Sequence, residues 1–222
     1  MLIVLTNDDG IHSEKIEYTK KVLEKFGTVY RIAPKEQMSA KSMSLTIGGF
    51  EFEKIDEFNY AIHGTPVDCV GFAHFGLGLK PDLVVSGTNN GYNIGIDTRY
   101  SGTVGAGLQA QYYGYKSLAV SADRKGNTIL ERDLEKTLQY IFDNDLLSSE
   151  YTLNVNFARE KFVESKGIRL TNVYHQVFEY IPEVTGNKIS PNRRFVMGQH
   201  LPVDSDAYSY KEGYTSISKI KI

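Results

Sequence analysis

Short apolar runs alternate with amphipathic segments over the first part of this 222-residue chain. Residues 2–5 are apolar on both faces and precede an Asn-Asp-Asp-Gly turn, which is typical of a buried parallel strand. After Ser13, apolar side chains recur at helical spacing as far as Phe26, where a glycine predicts the end of a helix. A second strand follows at 29–33. Strand, helix and strand in this order predict a βαβ unit with a right-handed crossover.

The same alternation continues to about residue 157. The patterns predict a hairpin from 50–55 and 59–62, helices over 66–75, 101–113 and 131–145, and strands at 83–85, 118–120 and 153–157. This succession is typical of a doubly wound α/β sheet. Beyond it the periodicity weakens, and only 174–183 and 195–203 are predicted as short strands. We therefore expect a doubly wound α/β core with a mostly parallel sheet over 1–157, and a smaller β-rich lobe over 158–222 that packs on the sheet or is used for oligomer contacts.

Charge and cysteine content narrow the classes of partner and compartment. Lys and Arg number 25 against 27 Asp and Glu, whereas domains that grip nucleic acid usually carry a basic excess. The single cysteine, Cys69, cannot form an internal disulfide, which favours a reducing compartment. The N-terminus has no basic signal segment, and no apolar stretch approaches the ~18 residues of a membrane span. We expect a cytoplasmic protein with neither a membrane nor a nucleic-acid duplex as partner.

Three polar segments directly follow predicted strands, at 7–10, 34–44 and 86–93. In an open parallel sheet, ligands bind beyond the carboxyl ends of the strands, near the point where the strand order reverses. These segments should therefore meet at one edge of the sheet. Their convergence predicts a ligand site there.

Asp8 and Asp9 are the first candidates for chemistry at this edge. Two adjacent carboxylates concentrate negative charge, which favours a hard divalent cation such as Mg²⁺, Mn²⁺ or Ca²⁺. The competing interpretation is a solvated turn, since Asp-Gly is a common turn pair.

Two further segments carry groups that suit a cation or an anion. The side chains of Asn89, Asn90 and Asn93 offer neutral oxygens to a metal or amide donors to an anion, although an asparagine-rich turn is the alternative. Ser101 to Thr103 begins a predicted helix, where backbone N–H groups and the helix dipole favour a phosphate. Plain N-capping by Ser101 is the alternative interpretation there.

Five motifs stand in order over nearly the whole chain. They are Ile3 to Gly10; Ala33-Pro34 with Ser39 and Ser44-Leu45-Thr46; Gly64-Thr65-Pro66-Val67-Asp68-Cys69-Val70; Ser86-Gly87-Thr88-Asn89 with Gly91 and Asn93, then Tyr100 to Val104; and Glu212-Gly213-Tyr214 with Ser216-Ile217. Together they resemble the SurE family, the survival-protein 5'/3'-nucleotidases.

The resemblance implies a metal-dependent phosphatase that acts on nucleoside monophosphates, with one divalent ion, Mg²⁺ or Mn²⁺, in each subunit. It also implies a Rossmann-like core and a homodimer or homotetramer. By position, it assigns the metal to Asp8, Asp9, Ser39 and Asn89. It assigns the substrate phosphate to Asn93, Ser101, Gly102 and Thr103.

The residues leave the mechanism and two rival functions open. Asp8 or Asp9 would act as general base or as covalent nucleophile, and the sequence does not separate the two routes. A non-catalytic nucleotide- or metal-binding regulatory module is one rival. A phosphatase for polyphosphate or other small phosphoesters is the other, because a fold alone does not select a substrate. A dinucleotide dehydrogenase is disfavoured, since the first turn lacks the G-x-G-x-x-G pattern.

Overall fold

The computed structural model describes residues 1–195 and 201–222, which form eleven strands and six α-helices. The strands are β1 (Leu2–Thr6), β2 (Thr28–Pro34), β3 (Phe52–Lys54), β4 (Asn59–Ile62), β5 (Leu83–Asn90), β6 (Lys116–Ala122), β7 (Thr152–Asn156), β8 (Ile168–Thr171), β9 (Phe178–Thr185), β10 (Lys188–Phe195) and β11 (Thr215–Ile220). The helices are α1 (Glu14–Leu23), α2 (Pro66–Gly71), α3 (Asp97–Tyr100), α4 (Gly102–Tyr112), α5 (Thr128–Asp143) and α6 (Asp206–Glu212). A π-helical turn, Phe72–Gly76, continues α2, and a 3-10 turn spans Glu160–Phe162.

Nine strands form one sheet in the order β3-β4-β2-β1-β5-β6-β7-β11-β8. The six strands from β4 to β7 pair in parallel, whereas β3 and β11 run antiparallel to their neighbours β4 and β7. The chain moves outward from β1 through β2 to β4 and then returns to the other side of β1 at β5. The boundary between β1 and β5 is therefore the point where the strand order reverses. The prediction of a mostly parallel α/β sheet is confirmed.

Alternate residues of β1 supply two cores, one on each face of the sheet. Ile3 and Leu5 pack with apolar side chains of α1 and α5, while Val4 packs with side chains of α2 and α4. A strand alternates its side chains between faces, so a run that is apolar at every position must be covered on both. This explains why the opening segment of the chain is a central strand.

Capping residues fix where the helices begin. Ser13 accepts a hydrogen bond from the backbone of Ile16 at the start of α1. Thr65 and Asp68 form a reciprocal capping box at the start of α2, with Pro66 in the first turn. These caps satisfy backbone donors that a helix leaves unpaired.

The segment after residue 157 is divided between the central sheet and a separate hairpin. Strands β8 and β11 join the nine-stranded sheet, whereas β9 and β10 form a two-stranded antiparallel sheet. The small β-rich element is thus present as this hairpin. The domain boundary at residue 157 and the role of 158–222 in oligomer contacts remain predictions.

Two predicted segments differ from the structure. The segment 86–93 was expected to be a loop, but β5 continues through Asn90. The strand expected at 195–203 ends at Phe195 in β10; residues 196–200 lie outside the described residues, and 201–203 form no strand. Within the described parts of the chain, no helix combines the length and the apolar character needed to cross a bilayer.

Candidate functional site

The turn after β1 is built by the side chain of Asn7. Its Nδ2 donates to the carbonyl of Gly10 at 2.9 Å and to Ser13 Oγ at 3.0 Å, and Gly10 N donates back to Asn7 Oδ1 at 3.2 Å. This fully buried amide therefore closes the turn. Asp8 and Asp9 both line a cavity of about 650 Å³ at the carboxyl end of the sheet.

Asp8 is a buried carboxylate held by one hydroxyl. Only 3% of the residue is exposed, and its Oδ1 accepts a hydrogen bond of 2.7 Å from Thr103 Oγ1. Burial raises the pKa of Asp8 to about 6; the Thr103 hydrogen bond opposes this rise, and the neighbouring charge of Asp9 adds to it. Ionised Asp8 is therefore costly in the metal-free protein, and a cation at this place would relieve the cost.

Asp9 is half-buried and is held by the end of β5. Its Oδ2 accepts a hydrogen bond of 2.7 Å from the backbone N–H of Asn90. Burial raises the pKa of Asp9, and this N–H together with the charges of Lys15 and Arg124 opposes the rise. Lys15 in turn donates from Nζ to Asn90 Oδ1 at 2.8 Å and to the carbonyl of Asp123 at 2.6 Å. The second carboxylate thus lies in a more basic surrounding than the first.

The loop after β2 carries Ser39 to the rim of the same cavity. Met38 N donates to the carbonyl of Asp8 at 2.8 Å, and Ser42 N donates to the carbonyl of Tyr100 at 3.0 Å. These bonds tie the loop to the acidic turn on one side and to the last residue of α3, just before α4, on the other. Ser39 itself is exposed, and its Oγ accepts from Gln37 Nε2 at 3.1 Å.

An irregular end of β5 brings Asn89 to the cavity. The pairing of β5 with β6 shifts register between Ser86 and Asn89. Gly87 has φ +134°, and a Cβ there would lie 2.3 Å from the carbonyl oxygen of Val120, so only glycine fits. Asn89 donates from Nδ2 to the carbonyl of Gly91 at 2.9 Å, which uses the amide nitrogen and not the oxygen. Its oxygen is the atom of the type that a hard cation binds.

Asn93 is locked in place by polar side chains of β6 and β7. Its backbone N–H donates to Asn156 Oδ1 at 2.9 Å, and its Nδ2 donates to Ser121 Oγ at 2.9 Å. Its carbonyl accepts from Asn154 Nδ2 at 2.8 Å and Asn156 Nδ2 at 3.1 Å. Asn93 is buried, and it lines the cavity that holds Asp8 and Asp9.

The start of α4 lies directly against the acidic turn. Ser101 lines the cavity, and its Oγ accepts from Val104 N at 3.1 Å, so it is the N-cap as well as a candidate ligand residue. A Cβ at Gly102 would lie 3.2 Å from Asp8 Cβ, so glycine allows the close approach. Thr103 is fully buried, and its hydroxyl acts on Asp8. Direct contact of Thr103 with a phosphate remains a prediction.

The predicted site residues are therefore brought together. The cavity is lined by Asp8, Asp9, Ser39, Asn89, Asn93 and Ser101, while Gly102 and Thr103 lie behind Asp8. The hairpin closes one side of the cavity with Tyr180 and Arg193, and Arg193 forms an ion pair with Asp97.

The donor chemistry fits a hard divalent cation. In residues 1–195 and 201–222, no cluster of three or more His, Cys, Asp or Glu side chains is arranged to hold a metal. The assigned ligands are instead two carboxylates, one amide oxygen and one hydroxyl, which suit Mg²⁺ or Mn²⁺ rather than zinc.

Several residues of the site were not found from the sequence. Lys15 and Arg124 lie near Asp9, yet neither belongs to a recognisable motif. The spacing of Asn154 and Asn156 carried a usable signal, since two amides two positions apart on a strand lie on one face. A strand face with buried amides needs partners, and here the partner is Asn93.

The hydrogen bond between Thr103 and Asp8 can be tested with substitutions that remove either the hydroxyl or the methyl group of Thr103. Thr103→Val should lower kcat/KM by about 10- to 100-fold, the usual loss for a hydrogen bond to a charged group. In the wild type the Thr103 hydrogen bond lowers the pKa of Asp8. Its loss should therefore raise that pKa and move the acidic limb of the pH–rate profile to higher pH. Thr103→Ser should restore both. The measurement is the pH–rate profile of the wild type and of both variants. An unshifted profile for Thr103→Val would show that the Thr103 hydroxyl does not control the pKa of Asp8.

Comparisons with known proteins agree with the geometry. Residues 3–180 match the family model described as "Survival protein SurE". A protein from Wigglesworthia glossinidia brevipalpis named 5'/3'-nucleotidase SurE is 36% identical over 232 residues, covering 99% of this chain and 91% of its own. One from Actinobacillus succinogenes named 5'-nucleotidase SurE is 35% identical over 231 residues, covering 100% of this chain and 92% of its own.

A solved structure extends the agreement to the fold. The crystal structure of the SurE protein from Aquifex aeolicus has a TM-score of 0.85 and 30% sequence identity, covering 100% of this chain and 93% of its own. The match to the family model, the full-length identity and the shared fold lead to one conclusion: this chain belongs to the SurE family.

Proposed function

We propose that this protein is a metal-dependent phosphomonoesterase that hydrolyses nucleoside 5'- and 3'-monophosphates to nucleoside and phosphate. The observation that carries the proposal is one cavity shared by an acidic pair with one buried and one half-buried carboxylate, neutral oxygen donors and the N-terminus of an 11-residue helix. The names of the relatives, 5'/3'-nucleotidase and 5'-nucleotidase, support this activity over a non-catalytic binding module.

The proposed cofactor is one divalent ion, Mg²⁺ or Mn²⁺, in each subunit. Asp8, Asp9, Ser39 and Asn89 would hold it, since these residues supply oxygen donors around one part of the cavity. Such an ion supplies Lewis-acid charge that polarises phosphoryl oxygens.

The start of α4 would bind the substrate phosphate. Backbone N–H groups of the first helical turn and the positive end of the dipole favour negative charge, and they stabilise the charge that develops on the phosphoryl oxygens. Ser101 and Gly102 lie at this terminus, and Asn93 lines the same cavity. The hydrogen bond from Thr103 fixes the Asp8 carboxylate next to the start of α4.

One carboxylate of the acidic pair would also accept the proton of the attacking water. Thr103 occupies Oδ1 of Asp8, and the Asn90 amide occupies Oδ2 of Asp9. The remaining oxygen of each carboxylate is the atom available to accept a proton. Burial raises the pKa of Asp8, whereas the Thr103 hydroxyl and a bound cation would both favour its ionised form, which is the form that a general base needs.

Assembly and location complete the proposal. We infer a homodimer or homotetramer, supported by the exposed apolar side chains Ile181, Val184 and Ile189 on the hairpin. We infer a cytoplasmic enzyme, in keeping with a single, buried cysteine.

A substrate and metal panel tests the proposal. The purified protein is assayed on an aryl phosphate, on 5'- and 3'-nucleotides and on short polyphosphate, each with Mg²⁺, Mn²⁺, Zn²⁺ or EDTA. We expect turnover of the nucleotides with Mg²⁺ or Mn²⁺, poor turnover with Zn²⁺ and none with EDTA. If no monophosphate is hydrolysed under any of these conditions, the activity is wrong. If turnover survives exhaustive chelation, with metal absence confirmed by elemental analysis, the metal dependence is wrong.

A further inference from the structure

A second cavity of about 540 Å³ adjoins the one at the acidic pair. The two share Gly91, Tyr92, Asp97, Arg124 and Arg193 in their walls. These shared residues place the two cavities next to each other. We call the second cavity the basic groove; it is lined by Tyr92, Arg124, Arg159, Lys161, Phe178 and Arg193, among others.

Three cations of the basic groove form no close ion pair with a carboxylate in the described parts of the chain. Among the ion pairs of residues 1–195 and 201–222, none brings a carboxylate within 4 Å of Arg124, Arg159 or Lys161. Arg124 donates from Nε to the carbonyl of Asn90 at 3.0 Å, which leaves its two terminal nitrogens for a ligand. Arg193 differs, because it pairs with Asp97.

Two of the three carboxylates that line the basic groove accept hydrogen bonds from the backbone, and the third, Asp97, pairs with Arg193. Asp123 accepts from the N–H of Lys125 at 3.0 Å and from that of Glu160 at 3.2 Å. Glu160 accepts from the N–H of Ile129 at 3.0 Å. The five cationic side chains that line the groove (Arg124, Lys125, Arg159, Lys161 and Arg193) outnumber its three carboxylates, so the lining favours an anion.

Aromatic rings orient the guanidinium groups of this groove. Arg159 lies over the ring of Tyr210 at 4.5 Å, and Arg193 lies over Phe178 at 4.7 Å. A stacked guanidinium keeps its in-plane donors for another partner, and a planar fork of donors matches a phosphate.

We propose that Arg124 and Arg159 form a subsite for a second phosphate group, so that nucleoside 3',5'-bisphosphates are preferred over monophosphates. This proposal rests on the proposed function. One phosphate would occupy the acidic pair and the start of α4, and the other would lie in the basic groove. Tyr92 lines both cavities.

The test compares kcat/KM for a nucleoside 3',5'-bisphosphate with that for each monophosphate of the same nucleoside. The wild-type ratio should be about tenfold, the value expected for a charged hydrogen bond. Arg124→Gln and Arg159→Gln should each bring it close to one, whatever their effect on the monophosphate rate. Arg194→Gln is the matched control, since Arg194 follows Arg193 on the strand, pairs with Glu179 and lines neither cavity. It should keep the wild-type ratio.

A binding measurement separates failure of the subsite from failure of the proposed function. In the presence of EDTA, calorimetry should show about tenfold tighter binding of the bisphosphate than of the monophosphate, with the difference lost in both variants. If the wild type hydrolyses monophosphates but shows no preference in rate or binding, the subsite is wrong. If no nucleotide is hydrolysed while the binding difference holds, the subsite stands and the proposed activity fails. If short polyphosphate depends on Arg124 and Arg159 as strongly as the bisphosphate does, the nucleoside assignment is wrong.

Discussion

Asp8→Asn and Asp9→Asn should each lower kcat/KM for nucleoside monophosphates by about 10²- to 10⁴-fold. Each substitution keeps the size of the side chain but removes a negative charge that the proposed ion and the attacking water both require. The effect should persist at saturating Mg²⁺, because the charge is lost and not merely screened. Initial rates across a Mg²⁺ titration measure it.

The matched control is Asp143→Asn, which removes a carboxylate from the exposed end of α5, outside the cavity. Its activity should stay within about twofold of the wild type, as for most surface substitutions. All three variants should keep the wild-type circular dichroism spectrum. Full activity of either site variant at saturating Mg²⁺ would show that the acidic pair is not the catalytic centre.

The position of the acidic pair could be predicted because one physical rule governs it. A strand buried on both faces must be central, and polar residues after a central parallel strand lie where the strand order reverses. The segments after β1, β2 and β5 do meet at one cavity, as expected. Periodicity also predicted α1, α2, α4 and α5 to within a few residues at most ends.

The prediction of a loop at the end of β5 was wrong, and the reason is also physical. Glycine and asparagine, which dominate residues 86–93, have low strand propensity, so local preference favours a loop. Pairing with β6 overrides that preference, and the register shift between Ser86 and Asn89 accommodates the irregular backbone. Such pairing is a tertiary contact that a local pattern does not contain.

The contacts of Lys15, Arg124 and Arg193 could not be predicted for the same reason. Each comes from a different element, and each reaches its place through the packing of distant segments. Because Arg193 and Arg194 are consecutive on a strand, their side chains lie on opposite faces. The sequence does not show which of the two faces lines the site. The sequence thus located the acidic pair, whereas only the fold shows the basic groove beside it.

Metal-free Asp8→Asn should be more stable than the metal-free wild type at pH 8, and the difference should vanish near pH 4. Burial raises the pKa of Asp8 from 3.8 to about 6 in the folded protein. Below the unfolded pKa the carboxyl is neutral in both states and costs nothing. As pH rises through the folded pKa, the native state must ionise a buried group, and the free energy of unfolding falls by about 3 kcal/mol at most.

Thermal or urea unfolding from pH 4 to pH 8, with EDTA present, measures this difference. Glu57→Gln is the control, because that side chain is exposed and should change stability by less than about 0.5 kcal/mol at any pH. Adding Mg²⁺ should raise the midpoint of the wild type by mass action and should leave Asp8→Asn nearly unchanged, since a ligand stabilises only the state that binds it. A stability gain that does not depend on pH would mean that the buried charge of Asp8 is not its source. An equal Mg²⁺ response in both proteins would remove Asp8 from the proposed ligand set.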